Sequence, residues 1–252
     1  MRLPRIPDLL TTANLSCGVA SILLASQGQL TAACGLVFIG ALFDVLDGLA
    51  ARALGGGSEL GKQLDSLADM VTFGVAPAFI SAIVPWKALQ FAIDAHRDFG
   101  PPAVRPGDLF AEPIWATALC AMMIAIASMW RLAKFNSDTR QTTGFLGLAT
   151  PANALLWASF GIASWGIGVR YGPGANELQS HVGAFMADPI QKLILATALA
   201  ALMLSSIPLP SLKFKHMRWK GNEVIYLLLG IGAVLVLLYG ILAQEWLRPI
   251  DR

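Results

Sequence analysis

Seven stretches of this chain, residues 9–25, 30–54, 60–84, 113–135, 150–169, 189–207 and 224–246, approach or exceed the ~20 mainly apolar residues a helix needs to cross a bilayer. Only 13% of the residues are charged and 56% are hydrophobic. Soluble domains carry about 25% charged residues, so the chain reads as an all-α integral membrane protein. The net charge of +2 is small and dispersed, which leaves no basis for a nucleic-acid partner. Cys17, Cys34 and Cys120 lie singly in apolar runs without metal-ligand spacing and read as small core residues. No clean cleavage site follows the first apolar run, so it is expected to be a retained span and not a signal peptide. Pro77 is expected to kink the third span.

Lysine and arginine in short loops set the orientation. Arg2 and Arg5 precede the first span, and Arg52 and Lys62 lie between the second and third. Arg131 and Lys134 lie at the end of the fourth span with Arg140 just beyond it, and Lys213, Lys215, Arg218 and Lys220 follow the sixth. All four groups fall on one side, predicted to be the cytoplasm. The expected organisation is a six-helix domain over residues 1–210, then a basic loop and a further spanning helix over 211–252. Whether 224–246 crosses once or includes a re-entrant piece stays open. So does the state of residues 86–96, an interfacial helix or part of a solvated loop. His96, His181 and His216 are isolated and read as loop residues. Trp86, Trp130, Trp219 and Trp246 sit near span ends, as interfacial anchors do.

Four carboxylates stand inside this apolar frame. The stretch Asp44-Val-Leu-Asp47-Gly48-Leu-Ala-Ala51-Arg52 ends the second span, and Gly61-Lys-Gln-Leu-Asp65-Ser66-Leu-Ala-Asp69 begins the third. A charge at mid-membrane costs roughly 2.5–3.5 kcal/mol, so four together call for compensating cations. Asp44 and Asp47 are i,i+3 and Asp65 and Asp69 are i,i+4, so each pair lies on one helix face. A turn at Gly55-Gly56-Gly57 would aim both faces at one site at the cytoplasmic boundary. Hard oxygen donors suit Mg²⁺ or Mn²⁺, and two such ions can clamp a phosphoryl group. Arg52 can fork onto a pyrophosphate. Gly48 and Ala51 remove bulk where a phosphorylated ligand would approach, although close helix packing also favours small residues.

The spacing Asp44-x2-Asp47-Gly48-x2-Ala51-Arg52-x8-Gly61-x3-Asp65-x3-Asp69 resembles the complete signature of the CDP-alcohol phosphotransferase family. The resemblance implies a membrane enzyme with a six-helix core, usually a homodimer, that displaces CMP from a CDP-linked substrate by an alcohol, using two divalent cations, Mg²⁺ or Mn²⁺. It implies Asp44, Asp47, Asp65 and Asp69 as metal ligands, with Asp69 also the general base and therefore the weaker ligand. It implies Gly48, Ala51, Arg52, Ser58 and Gly61, together with Asp47, as contacts to the CDP-lipid. The run Pro7-Asp8-Leu-Leu-Thr11-x2-Asn14 is similar to the family's entry motif, which adds Asp8 and Thr11 beside the CDP group. A helix N-terminal cap would equally account for those two.

The segment from Asp65 through Ser66 to Ala78 is similar to the branch of the family that transfers phosphatidyl from CDP-diacylglycerol to L-serine, giving phosphatidylserine and CMP. Arg131-Leu-Ala-Lys134-Phe135-Asn136 and Phe145-Leu-Gly147-Leu-Ala149-Thr150-Pro151 are similar to later segments of that branch, with Lys134 and Ala149 departing from its commoner Arg and Pro. Ser66, Arg131, Lys134 and Asn136 are the candidate serine contacts; a guanidinium matches a carboxylate bidentately. Positive-inside anchoring also explains Arg131 and Lys134, and a helix cap explains Asn136. The same chemistry with glycerol 3-phosphate or inositol phosphate is the nearest alternative. A cation transporter would also place acids in a membrane, but it would not require Gly48, Ala51, Arg52 and Gly61 at these intervals. The expected setting is a bacterial or archaeal cell membrane, with the site on the cytoplasmic face.

Overall fold

The computed structural model describes residues 5–56, 58–83, 114–137, 145–168, 185 and 188–209. The expected final span, the loop over 85–112 and the three histidines lie outside the described residues. Six helices occupy the first six predicted spans: α1 (Ile6–Ser26), α2 (Leu30–Ala53), α3 (Glu59–Ile83), α4 (Ile114–Ser137), α5 (Thr150–Gly168) and α6 (Pro189–Leu204). Helices α1, α2 and α3 and residues Trp115–Ser137 of α4 are long and apolar enough to cross a membrane; α6, at 16 residues, is shorter. One addition to the all-α expectation is a two-residue antiparallel pairing, β1 (Phe145–Leu146) with β2 (Pro208–Leu209).

Local chemistry sets the ends of the helices that carry the site. Helix α1 starts with Pro7 in its first turn, and Asp8 accepts the Arg5 backbone N–H at 2.9 Å. Gly55 (φ 89°) and Gly56 (φ 108°) take the left-handed conformation that glycine adopts freely, and they reverse the chain between α2 and α3. Ser58 then caps α3, accepting the Gly61 N–H at 2.9 Å.

Helix α3 departs from α geometry over Met70–Val75, which form a π-helical stretch. Proline at 77 would drive its ring against the Phe73 carbonyl, and widening the preceding turn relieves that clash. The disturbance expected at Pro77 is therefore accommodated upstream, immediately after Asp69. Helices α1, α4 and α5 all pack on this stretch, so it lies at the centre of the bundle.

The distribution of polarity is inverted relative to a water-soluble protein. Leu23, Leu42, Val45, Leu67, Ile126 and Ile194 are exposed. Thr11, Asn14, Ser21, Asp47, Asp69, Thr72, Ser128, Arg131 and Asn153 are buried. Lipid solvates the first set, whereas the second must find hydrogen-bond partners inside. The apolar core gathers around Phe73, Ile80, Val37 and Trp157. Cys17, Cys34 and Cys120 are buried free thiols, as expected. Trp130 is exposed near the end of α4, where an interfacial anchor would sit.

Lys192 is fully buried, although a lysine near a span start reads as an ordinary topology signal. Its Nζ donates to the Ser81 carbonyl at 3.1 Å, in the last turn of α3, where helix carbonyls lack intrahelical partners.

Candidate active site

The ends of α1, α2 and α3 meet where the carboxylates lie. One oxygen from each of Asp44, Asp47 and Asp65 falls within 4.8 Å of the others. Asp47 is buried, and the other two are partly so. The donor set is all carboxylate and convergent, which suits a hard divalent ion such as Mg²⁺ or Mn²⁺. Thr11 Oγ1 donates to Asp47 Oδ2 at 2.6 Å and so orients one member of the trio from α1. Thr11 therefore does not cap its helix, whereas Asp8 does hold the α1 N-terminus.

Asp69 lies outside this group of three. It is buried, within electrostatic reach of Asp44, Asp65 and Asp47, and Asn14 Nδ2 donates to its Oδ1 at 3.0 Å. The four acids thus divide into three that converge and one that is separately held.

A cleft of about 180 Å³ opens beside the trio. Asp8, Thr11, Asp47, Gly48, Ala51, Ser58 and Gly61, seven of the residues expected to meet a CDP-lipid, all line it. Arg52 does not line it; it is exposed next to Gly48. Arg5 and Lys62 do, and they supply positive charge that the motif alone did not reveal. The two glycines serve different ends. A Cβ on Gly61 would come within 3.1 Å of Asp8 Oδ1 and 3.2 Å of Ser58 Oγ, so the turn itself needs a small residue there. A Cβ on Gly48 would meet nothing closer than Arg52 Nη1 at 3.8 Å, so protein packing leaves room for one. The bare backbone at Gly48 is left as a surface on which a ligand can lie close.

The candidate serine contacts are placed differently. Arg131 is 5% exposed, and its Nε donates to the Leu148 carbonyl at 3.2 Å. Lys134 Nζ donates to the Leu204 carbonyl at the end of α6, at 3.3 Å. Asn136 Nδ2 donates to Ser66 Oγ at 2.6 Å and so ties α4, which runs on to Ser137, to α3. Only Ser66 and Asn136 of the four meet directly.

Asn14 closes the entry motif and Thr72 lies in the serine-branch segment, but sequence reading gave neither of them, nor Asn153, a place among the site residues; all three are buried. For Asn14 a signal was present: Thr11, Asn14, Gly18, Ser21 and Ala25 make a polar and small stripe along one face of α1.

Comparison with known proteins supplies a family and a set of relatives. The family model for CDP-alcohol phosphatidyltransferase matches residues 5–237. The CDP-diacylglycerol–serine O-phosphatidyltransferase of Bacillus subtilis is 32% identical over 146 residues, covering 58% of this chain and 69% of that protein. Archaetidylserine synthase of Methanothermobacter thermautotrophicus is 35% identical over 159 residues, covering 62% of this chain and 57% of that protein. The CDP-diacylglycerol–serine O-phosphatidyltransferase of Helicobacter pylori is 29% identical over 234 residues, covering 91% of this chain and 81% of that protein.

Proposed function

The chain belongs to the CDP-alcohol phosphatidyltransferase family, and on that premise we propose that it transfers the phosphatidyl group of CDP-diacylglycerol to the hydroxyl of L-serine, releasing CMP. The observation that carries this reading is the convergence of Asp44, Asp47 and Asp65 beside a cleft whose walls are the residues expected to meet a CDP-lipid. The serine acceptor is supported by the relatives' names, which agree on serine and differ in the lipid.

In the mechanism, Arg5, Lys62 and Arg52 draw the diphosphate to the cleft, and the backbone at Gly48 lets it approach. Asp44, Asp47 and Asp65 would hold divalent cations, with Asp69 as a further, weaker ligand. Such ions, when bound, neutralise the diphosphate and stabilise charge on the departing CMP. Thr11 fixes the carboxylate of Asp47. Serine enters from the water side, its carboxylate directed to Arg131, with Ser66, Lys134 and Asn136 near the same helix ends. Asp69 accepts the serine hydroxyl proton as the oxygen attacks the lipid phosphorus and the bond to CMP breaks.

The working form is a homodimer, with the site on the cytoplasmic face. Arg52 and Lys62 support that orientation, since they lie at the ends of the helices that carry the acids, and Arg131 and Lys134 lie in the last turns of α4, whose Asn136 bonds Ser66 of α3. The test is CMP release by purified protein from CDP-diacylglycerol plus Mg²⁺ or Mn²⁺, with serine, glycerol 3-phosphate or inositol phosphate offered in turn. Release that needs serine and stops on chelation is the expected result. Release driven as well by a phosphorylated alcohol would overturn the serine assignment.

A further inference from the structure

We propose that Asn14 is the positioning residue for Asp69, and that a closely packed layer around Thr72 sets where Asn14 stands. The inference rests on the reading of Asp69 as the base.

Asn14 is fully buried on α1, and its Nδ2 donates to Asp69 Oδ1 at 3.0 Å. Thr72, also fully buried, donates through Oγ1 to the Asn14 backbone carbonyl at 2.9 Å. The side chain and the backbone of one α1 residue are thus tied to two α3 residues three positions apart. The π-helical stretch begins between those two positions. Glycine on each neighbouring helix permits the approach. A Cβ on Gly18 would lie 2.8 Å from Thr72 Cα. A Cβ on Gly40 would lie 2.6 Å from Thr72 Cγ2 and 3.1 Å from Asn14 Oδ1. Helices α1, α2 and α3 therefore meet in one rigid layer, and its polar tip points at Asp69.

The Oδ1 atom of Asn14 is buried and has no hydrogen-bond partner among the described residues. An apolar side chain of the same size would avoid that cost, so the amide earns its place through its donor end. One donor on one carboxylate oxygen fixes the plane of the Asp69 carboxyl and directs its other oxygen to the incoming hydroxyl. A base so held is ready in one orientation, and reorienting it is the loss expected when the donor goes.

The deciding variant is Asn14→Leu, close to asparagine in size and without the donor. The expected result is a fall in kcat of roughly 10- to 100-fold. KM for CDP-diacylglycerol and for serine, and Mn²⁺ affinity read by electron paramagnetic resonance, should each stay within about threefold of the parent. A parent-like kcat overturns the proposal. So does an equal loss of Mn²⁺ or CDP-lipid binding, which would make Asn14 a support of the metal or nucleotide site. If Asn14→Leu does not fold, Thr72→Val decides: kcat lowered severalfold at constant KM supports the layer, and an unchanged kcat overturns it. Asp69→Asn is measured alongside. An active Asp69→Asn defeats the base assignment itself, whereas an inactive Asp69→Asn beside a parent-like Asn14→Leu defeats the positioning role alone.

Discussion

The α1–α3 end of the bundle and the α4–α6 end beside it hold similar kinds of side chain and use them in opposite ways. In the first, acids and their partners face a space: three carboxylate oxygens converge, Thr11 orients one acid and Asn14 holds another. In the second, polar side chains hold backbone and one another. Arg131 bonds the Leu148 carbonyl, Lys134 the Leu204 carbonyl, and Asn136 bonds Ser66. A cluster of acids that could hold a metal ion is visible in the protein alone, because its carboxylates must be arranged to tolerate each other. A pocket for a small zwitterion leaves a fainter trace, because its cations have useful work at helix ends.

Four substitutions can break or sharpen that contrast. Asp69→Asn is expected to lower turnover by roughly 100- to 10,000-fold while CDP-lipid binding, read by isothermal calorimetry, stays measurable. Arg131→Ala tests whether the α4 end also serves the substrate. Its Nε is engaged, but among the described residues no partner takes its terminal nitrogens, which can still fork onto a carboxylate. Serine KM should rise roughly 10- to 100-fold with little change in KM for the CDP-lipid. Equal effects on both would return Arg131 to a purely structural role. Thr11→Val removes one donor to a buried ligand and should weaken Mn²⁺ binding by about tenfold in a titration. Lys134→Ala, at an exposed contact, should change serine KM by less than about threefold and lower the melting temperature slightly. A large effect there would move Lys134 from the scaffold to the pocket.

The acid pattern was legible because helix periodicity turns intervals of three and four into shared faces, and because lipid makes unexplained charge expensive. The six helices were legible to within a few residues, since a change from apolar to polar sequence locates the bilayer edge. The role of Thr72 was not. It depends on how closely α3 approaches α1 and α2, which Gly18 and Gly40 decide together from different helices. The π-helical stretch was half legible: Pro77 announces a disturbance but does not say on which side it will be absorbed. Arg5 and Lys62 read as topology charges until the fold placed them in the cleft wall. The burial of Lys192 was not legible, because a lysine near a span end usually reaches for water, and here the end of α3 offers it a carbonyl instead.

The tight layer at Gly18, Gly40 and Thr72 has a consequence for the membrane as well as for the reaction. Ionisable carboxylates inside a bilayer, strung together by water, are the material of a proton path. In the described helices, the glycine contacts close the space around Thr72, and Phe73, Val37, Cys34 and Trp157 add a fully buried apolar core. Among the described residues, the hydrogen bonds that lead inward from Asp69 run through Asn14 to Thr72, where the two glycines close in. The same close packing that seats Thr72 against Asn14 therefore also closes the polar layer off from the apolar core behind it.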